Sequence, residues 1–195
     1  IAFDLIIYST PPITLVEPIK RLKRRFRCKT YLMLKDIFPQ NAVDLGMFSK
    51  DGIIHRYFRR QEKQLYSVSD RIGCMSEANV RYLVKHNPEL NPNNIEICPN
   101  GIIPNTINDK ELHKTQIRKK YNVPDNALIF LYGGNLGKPQ GIPHLIKCLK
   151  DNIGKEDRFF VICGDGSEYA LLDDFIRRNN PGNIRLIRFL PKQQY

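Results

Sequence analysis

Residues 130–149 read FLYGGNLGKPQGIPHLIKCL, an apolar run passing straight into a glycine cluster and then into a helix-like pattern. Gly133, Gly134 and Gly137 fall within five positions, and Lys138 follows. A strand, a glycine turn and a helix in that order aim bare backbone N–H groups at a phosphate, with the positive end of the helix behind them. The spacing G-G-x-x-G is not the G-x-G-x-x-G of dinucleotide folds, and no Gly-Lys-Ser/Thr completes a P-loop. Asn135 and Gln140 add side-chain hydrogen-bond donors. A tight turn that needs only positive φ is the plainer reading of such a loop.

Outward from this loop, strands and helices alternate. Downstream the reading is helix 139–152, strand 158–163, helix 168–178 and strand 184–189, after a strand at 127–132. Upstream, the opening IAFDLIIY (residues 1–8) is a strand, and Leu15, Ile19, Leu22 and Phe26 mark a helix over 14–27. KTYLML is a strand, a short helix lies near QNAVDLG, and 54–68 is a long helix carrying Tyr57, Phe58, Leu65 and Tyr66. DRIGCMS is a strand, Ser76 caps a helix ending at His86, and IEICPNG is a strand closed by a Pro-Asn-Gly turn. The polar, proline-marked passage 102–126, with a helix around 109–121, is the junction between two domains, 1–104 and 105–195. Alternation of this kind means parallel sheets wound on both faces, with ligands at the carboxyl ends of the strands.

Composition narrows the partners. A net charge of +11 over 195 residues implies an anionic partner. No apolar run is long enough to span a bilayer. The five cysteines form no C-x-x-C pair and read as reduced core thiols of a cytoplasmic protein. Seven of the ten residues 20–29 are Lys or Arg, which is a solvated helix face or a contact with an anionic membrane surface. No nucleic-acid motif accompanies it. Metal-ligand spacing and a G-x-S-x-G elbow are absent, so no metal is expected.

Two further turns bear on chemistry. Gly164-Asp165-Gly166 directly follows a buried-type strand, so it opens onto the same sheet edge as the first glycine loop; a sugar or nucleobase suits the backbone near Asp165. In LKDIFP, Lys35 and Asp36 stand at a strand end, where a carboxylate accepts a hydroxyl proton or simply caps the next segment.

The succession ICPNGI, FLYGGNLGKPQGIPHLIKCL, FFVICGDGSEYALLDDF and NIRLIRFLP resembles the bacterial glycosyltransferases of family 4, of the type that builds capsule or O-antigen polysaccharide. LKDIFPQNAVDLG and LYSVSDRIGCMSEANVRYL resemble the amino-terminal half of the same enzymes. The resemblance implies a GT-B architecture of two Rossmann-like parallel-sheet domains, an acceptor-side domain over 1–104 and a donor domain over 105–195. It implies retaining sugar transfer from a nucleotide donor, UDP-linked, without a metal or other cofactor, to a saccharide or lipid-linked saccharide at the inner membrane surface. Gly133, Gly134, Asn135, Gly137, Lys138, Gln140 and Gly141 would line the donor diphosphate, with Gly164, Asp165 and Gly166 beside it, and Lys35 and Asp36 would serve the acceptor side.

The chain departs from the family where many members have Arg and Lys: Asn135 and Gln140 stand there, leaving Lys138 as the loop's one cation. Lys35 replaces a frequent His. Both domains read as incomplete: an opening strand with an acceptor loop is expected before Ile1, and an E-x7-E pair contacting the donor after Tyr195, so the piece alone is expected to be inactive. The rival readings are a sugar-nucleotide epimerase or dehydrogenase, and a basic binding module without chemistry.

Overall fold

Short apolar runs in LIIYST and KTYLML make strands of both segments, and burial alternates along each, giving one buried face. The computed structural model describes residues 2–103 and 110–190, the side chains of 110–113 excepted. It divides into two compact units, Ile1–Pro104 and Asn105–Tyr195. Ile1, the passage 104–109 inside the expected junction and residues 191–195 lie outside the described residues.

The first unit runs β1 (Leu5–Thr10), α1 (Val16–Phe26), β2 (Lys29–Leu34), α2 (Gln40–Asp44), α3 (Ile53–Val68), β3 (Arg71–Cys74), α4 (Glu77–His86) and β4 (Ile95–Ile97). Its four strands are parallel and stand in chain order β1-β2-β3-β4, with Tyr8 opposite Leu32 and Thr10 opposite Leu34. Right-handed crossovers that always step the same way put every connecting helix on one face. Accordingly Tyr8, Leu32, Leu34, Ile72 and Cys74 share a core with Val16 and Ile19 of α1, Leu65 and Tyr66 of α3 and Leu83 of α4. The opposite face keeps Ile7 60% exposed, so among the described residues this sheet is covered on one side, not the two expected.

The second unit runs α5 (Lys110–Tyr121), β5 (Leu128–Gly133), α6 (Ile142–Lys150), β6 (Arg158–Cys163), α7 (Tyr169–Asn179) and β7 (Ile184–Ile187). Its three strands are parallel in the order β5-β6-β7. Here packing reaches both faces of the sheet at β6, while β5 stays open on both, with Leu128 67% and Leu131 64% exposed: Ile162 and Ile184 meet Ile142, Leu149 and Leu172 of α6 and α7 on one side. Phe159 and Val161 meet Val123 and Ala127 on the other.

Several boundaries differ from the sequence reading. The first strand begins at Leu5 rather than at the chain start. The helix read from residue 14 opens as a tight turn, Ile13–Leu15, and becomes α-helical at Val16; its core face is Ile13, Val16 and Ile19, while Leu22 stays 39% exposed. The helix read from residue 139 is two pieces, a tight turn over Lys138–Gln140 and then α6, because Gly141 takes the left-handed conformation (φ 64°) and breaks the helical run. Strand β7 stops at Ile187, two residues short of the reading. Of the cysteines, Cys28, Cys74 and Cys163 are buried as expected, Cys98 is half-buried, and Cys148 is exposed on α6. Ser76 caps α4 as read, its hydroxyl accepting the Asn79 N–H at 3.3 Å.

Candidate functional site

At the carboxyl edge of the second sheet the two glycine turns lock into one another through backbone bonds. Gly134 N–H donates to Cys163 O (3.0 Å), Leu136 N–H to Asp165 O (2.8 Å), and Glu168 N–H back to Leu136 O (2.8 Å). A methyl group on Gly164 would lie 1.8 Å from Gly134 O, and one on Gly166 would lie 2.5 Å from Leu136 O. Glycine is required at both positions by close approach of the neighbouring turn, a contact 28 or more residues distant in sequence. Leu136, fully buried, pins the first loop to the core beneath.

The interlock leaves part of the first loop bare. Among the described residues, the backbone N–H groups of Asn135, Gly137 and Lys138 have no acceptor; Asn135 and Lys138 are exposed, while Gly137 is buried beneath the Asn135 and Gln140 side chains. Asn135 is held in place at both ends, its carbonyl accepting the Tyr132 hydroxyl at 2.8 Å and its Nδ2 donating to Gln140 Oε1 at 3.3 Å. Gly141 then starts α6, whose N-terminus carries no side-chain cap and no acidic residue in its first turn. Unpaired N–H groups ahead of an uncapped helix make an electropositive surface suited to an oxyanion. Lys138 is exposed and adds a full charge.

The second turn contributes a neutralised carboxylate. Asp165 accepts from Arg188 Nε at 3.0 Å and from its neighbour Gly166 N–H at 2.9 Å. The Arg188 guanidinium, then that backbone bond, hold the Asp165 carboxyl below the usual carboxylate range. Arg188 also lies over the Tyr169 ring, 4.8 Å from its centroid. Sequence reasoning missed Arg188 because it was absorbed into a strand read as far as residue 189. Its signal was its place at a strand's carboxyl end, the position that drew attention to the other turns.

In the first unit, Lys35 and Asp36 directly follow β2 and are exposed. The backbone carbonyl of Asp36 accepts from the buried Thr10 hydroxyl at 3.2 Å, tying the ends of β1 and β2 together. Its carboxylate has no hydrogen-bonding partner among the described residues. Asp36 does not cap the next helix: the residue before α2 is Pro39, with no side-chain cap. Within 20–29, Arg21, Arg24, Arg25, Arg27 and Lys29 are exposed. Lys23 instead serves the fold, reaching Asp70 Oδ2 (2.8 Å) and Val68 O (2.9 Å).

A cavity of about 670 Å3 lies at the opposite, amino-terminal edge of the second sheet, beside Asp157, Arg158 and Asn183. Its polar groups are largely committed to the fold: Arg158 grips Asp157 and Asn152, and Asn183 Nδ2 is shared among three backbone carbonyls. Among the described residues no helix is long and apolar enough to cross a membrane, and no three His, Cys, Asp or Glu side chains gather as for a metal ion.

No protein-family model matches the chain. It is 27% identical over 194 residues to the probable glycosyltransferase WbjE of Pseudomonas aeruginosa, covering 94% of this chain and 46% of that protein. It is 23% identical over 195 residues to the putative colanic acid biosynthesis glycosyl transferase WcaI of Escherichia coli K12, covering 98% and 46%. Among solved structures, Anabaena Alr3699/HepE in complex with UDP-glucose superposes with a TM-score of 0.72 at 15% identity, over 98% of this chain and 50% of that one. The chain thus spans about half the length of the relatives it matches. The fold is that of GT-B glycosyltransferases, and the resemblance read from the turns is borne out by glycosyltransferases among the curated relatives.

Proposed function

We propose that this chain is part of a retaining glycosyltransferase that takes a sugar from a UDP-linked donor and passes it to a saccharide or lipid-linked saccharide in surface polysaccharide synthesis. The observation that carries the reading is the set of unpaired N–H groups of Asn135, Gly137 and Lys138 ahead of α6. In this reading those groups receive the diphosphate, and the α6 N-terminus and Lys138 offset the charge that grows on the leaving group as the glycosidic bond breaks. Because the donors are backbone groups fixed by the interlocked turns, little reorganisation accompanies that charge development. Gln140 orients a phosphate oxygen, and the turn Gly164–Gly166 faces ribose or base, with Asp165 held back from the phosphates by Arg188.

On the acceptor side, the unpartnered Asp36 carboxylate orients the attacking hydroxyl, and Lys35 keeps that corner electrically balanced. The exposed arginines of α1 and its C-terminal end hold the protein, peripherally, to the anionic cytoplasmic face of the inner membrane, where a lipid-linked acceptor is presented.

Calorimetric titration of the full-length protein with UDP tests the donor site. Lys138→Ala is expected to weaken UDP about tenfold, one charge-assisted contact; unaltered affinity in a Lys138→Ala/Gln140→Ala double variant would overturn the assignment. Sedimentation with anionic vesicles tests the membrane face: reversal of Arg24, Arg25 and Arg27 to Glu should release the protein, and undiminished binding would remove that role.

A further inference from the structure

The stretch that leads from β2 into α3 divides its apolar side chains between two surroundings. Phe38, Phe48 and Phe58 turn toward one another, with the Phe38 ring centroid 5.0 Å from that of Phe58 and 6.1 Å from that of Phe48, and Phe38 and Phe58 pack against the first core. Ile53, Ile54 and Tyr57 stay outside, 80%, 55% and 54% exposed. Residues three and four apart are neighbours on a helix surface, so these three form one apolar tip at the start of α3. Met47, 66% exposed, stands in the loop just before it. Single exposed apolar residues are ordinary, but a contiguous group of them marks a contact surface.

The charge around the tip selects what it contacts. Arg56 and Arg60 lie one turn apart among the same residues, both exposed and neither ion-paired among the described residues. Like charges at that spacing repel, and no acidic residue in the first turn relieves them. The one acid of α3, Glu62, is buried and paired with Arg59. In the preceding loop Asp51 stands beside Lys50, so that pair adds no net charge. The tip is apolar with a cationic rim. That is the layout of helices that lie in a membrane interface: apolar residues enter the acyl boundary, Tyr stays at headgroup level, and Arg reaches back to lipid phosphate.

The fold also places the tip. Strands β2 and β3 are parallel, so α3 runs back from the carboxyl edge of the sheet to its amino edge. Its first turn therefore stands at the edge that carries Lys35 and Asp36, and Phe38 of the aromatic trio is two residues beyond Asp36. We propose that Ile53, Ile54 and Tyr57 insert into the interfacial layer of an anionic bilayer, with Arg56 and Arg60 on its lipid phosphates. The inference rests on the membrane reading above and deepens it, from an electrostatic contact through α1 to an inserted one beside the acceptor corner.

The test is sedimentation of the full-length protein with phosphatidylcholine vesicles, with and without phosphatidylglycerol. It is run at low salt and at about 1 M NaCl, where the Debye length falls to ~3 Å and surface attraction is screened. The parent should keep a bound fraction at high salt. Ile53→Ser/Ile54→Ser should lower partitioning about a hundredfold at both salt levels, about tenfold for each isoleucine withdrawn from the bilayer. Its thermal melt should match the parent's, since both side chains are already exposed. Arg56→Gln/Arg60→Gln should weaken binding several-fold, to anionic vesicles at low salt only. Complete release of the parent by salt, or indifference to the serine pair, would overturn insertion while leaving the α1 contact in place. No binding to either vesicle would overturn both. A dimer in sedimentation velocity that the serine pair dissociates would assign the tip to a second copy and overturn the proposal. UDP affinity should be equal in all these variants, so the donor reading stands or falls separately.

Discussion

The two sheets finish their edges in different materials. The first unit ties the amino-terminal edge of its sheet with side chains: Asp70, just before β3, accepts from Lys23 Nζ, Thr30 N–H and the Thr30 hydroxyl, each at 2.8 Å, and Ser69 meets Tyr8 at 2.6 Å. The second unit ties its carboxyl edge with backbone, glycine against glycine. A side-chain tie tolerates local variation but places carboxylates and amines at the edge. A backbone tie demands glycine but leaves N–H groups unpaired, beside two carboxylates of the facing turn: Asp165, paired with Arg188, and Glu168, whose Oε2 is buried without a partner among the described residues.

The sharpest way to break this comparison is Gly164→Ala. The added methyl meets backbone rather than a movable side chain, so the two turns must separate. Unfolding of the variant in urea should show a loss of about 3 kcal/mol, the upper range for overpacking, together with loss of UDP binding. A stability within error of the parent would mean the turns are not interlocked.

Asp70→Ala comes next, with an expected cost of about 2 kcal/mol because it strands the buried Thr30 N–H and takes the counter-charge from Lys23, which keeps only neutral acceptors. The same carboxylate gives the first unit a pH signature. Partial desolvation would raise its pKa, but the bonds from Lys23 and Thr30 override that and hold it below the ordinary range. A depressed carboxyl stabilises above its unfolded pKa of about 3.9 and loses that contribution as pH falls through the lower folded value. Urea midpoints measured between pH 6 and pH 2 should therefore converge for parent and variant at the acid end.

Gly141→Ala should cost about 1 kcal/mol, the usual penalty for a left-handed residue with a side chain, and thermal melts would detect it. The smallest effect is expected from Arg188→Ala. This exposed pair adds little to stability, so the melting temperature should hold while UDP affinity falls a few-fold as Asp165 is freed to repel phosphate. An unchanged affinity would mean that Asp165 stands clear of the donor.

Much of this was legible beforehand, and the limits are instructive. Strand β6 was read at its observed bounds because an apolar run ending in a glycine turn has few other conformations. The positions of both glycine turns followed from strand-end logic alone. The clash that makes Gly164 and Gly166 obligatory was not legible, since it depends on which turns become neighbours across strands. His55 belongs to no motif in the sequence; its burial and its bond from Asp51 emerge only when α3 packs. Leu22 was grouped with Leu15, Ile19 and Phe26 on one helix face yet stays 39% exposed, because periodicity gives a face but not its centre.

The central claim is that a backbone surface receives the diphosphate. Amide NMR of the full-length protein titrated with UDP, and separately with uridine, addresses it directly. The account predicts that the Asn135, Gly137 and Lys138 amides shift with UDP and stay in place with uridine. Shifts of equal size with both ligands, or shifts confined to the Lys35–Asp36 corner, would contradict it.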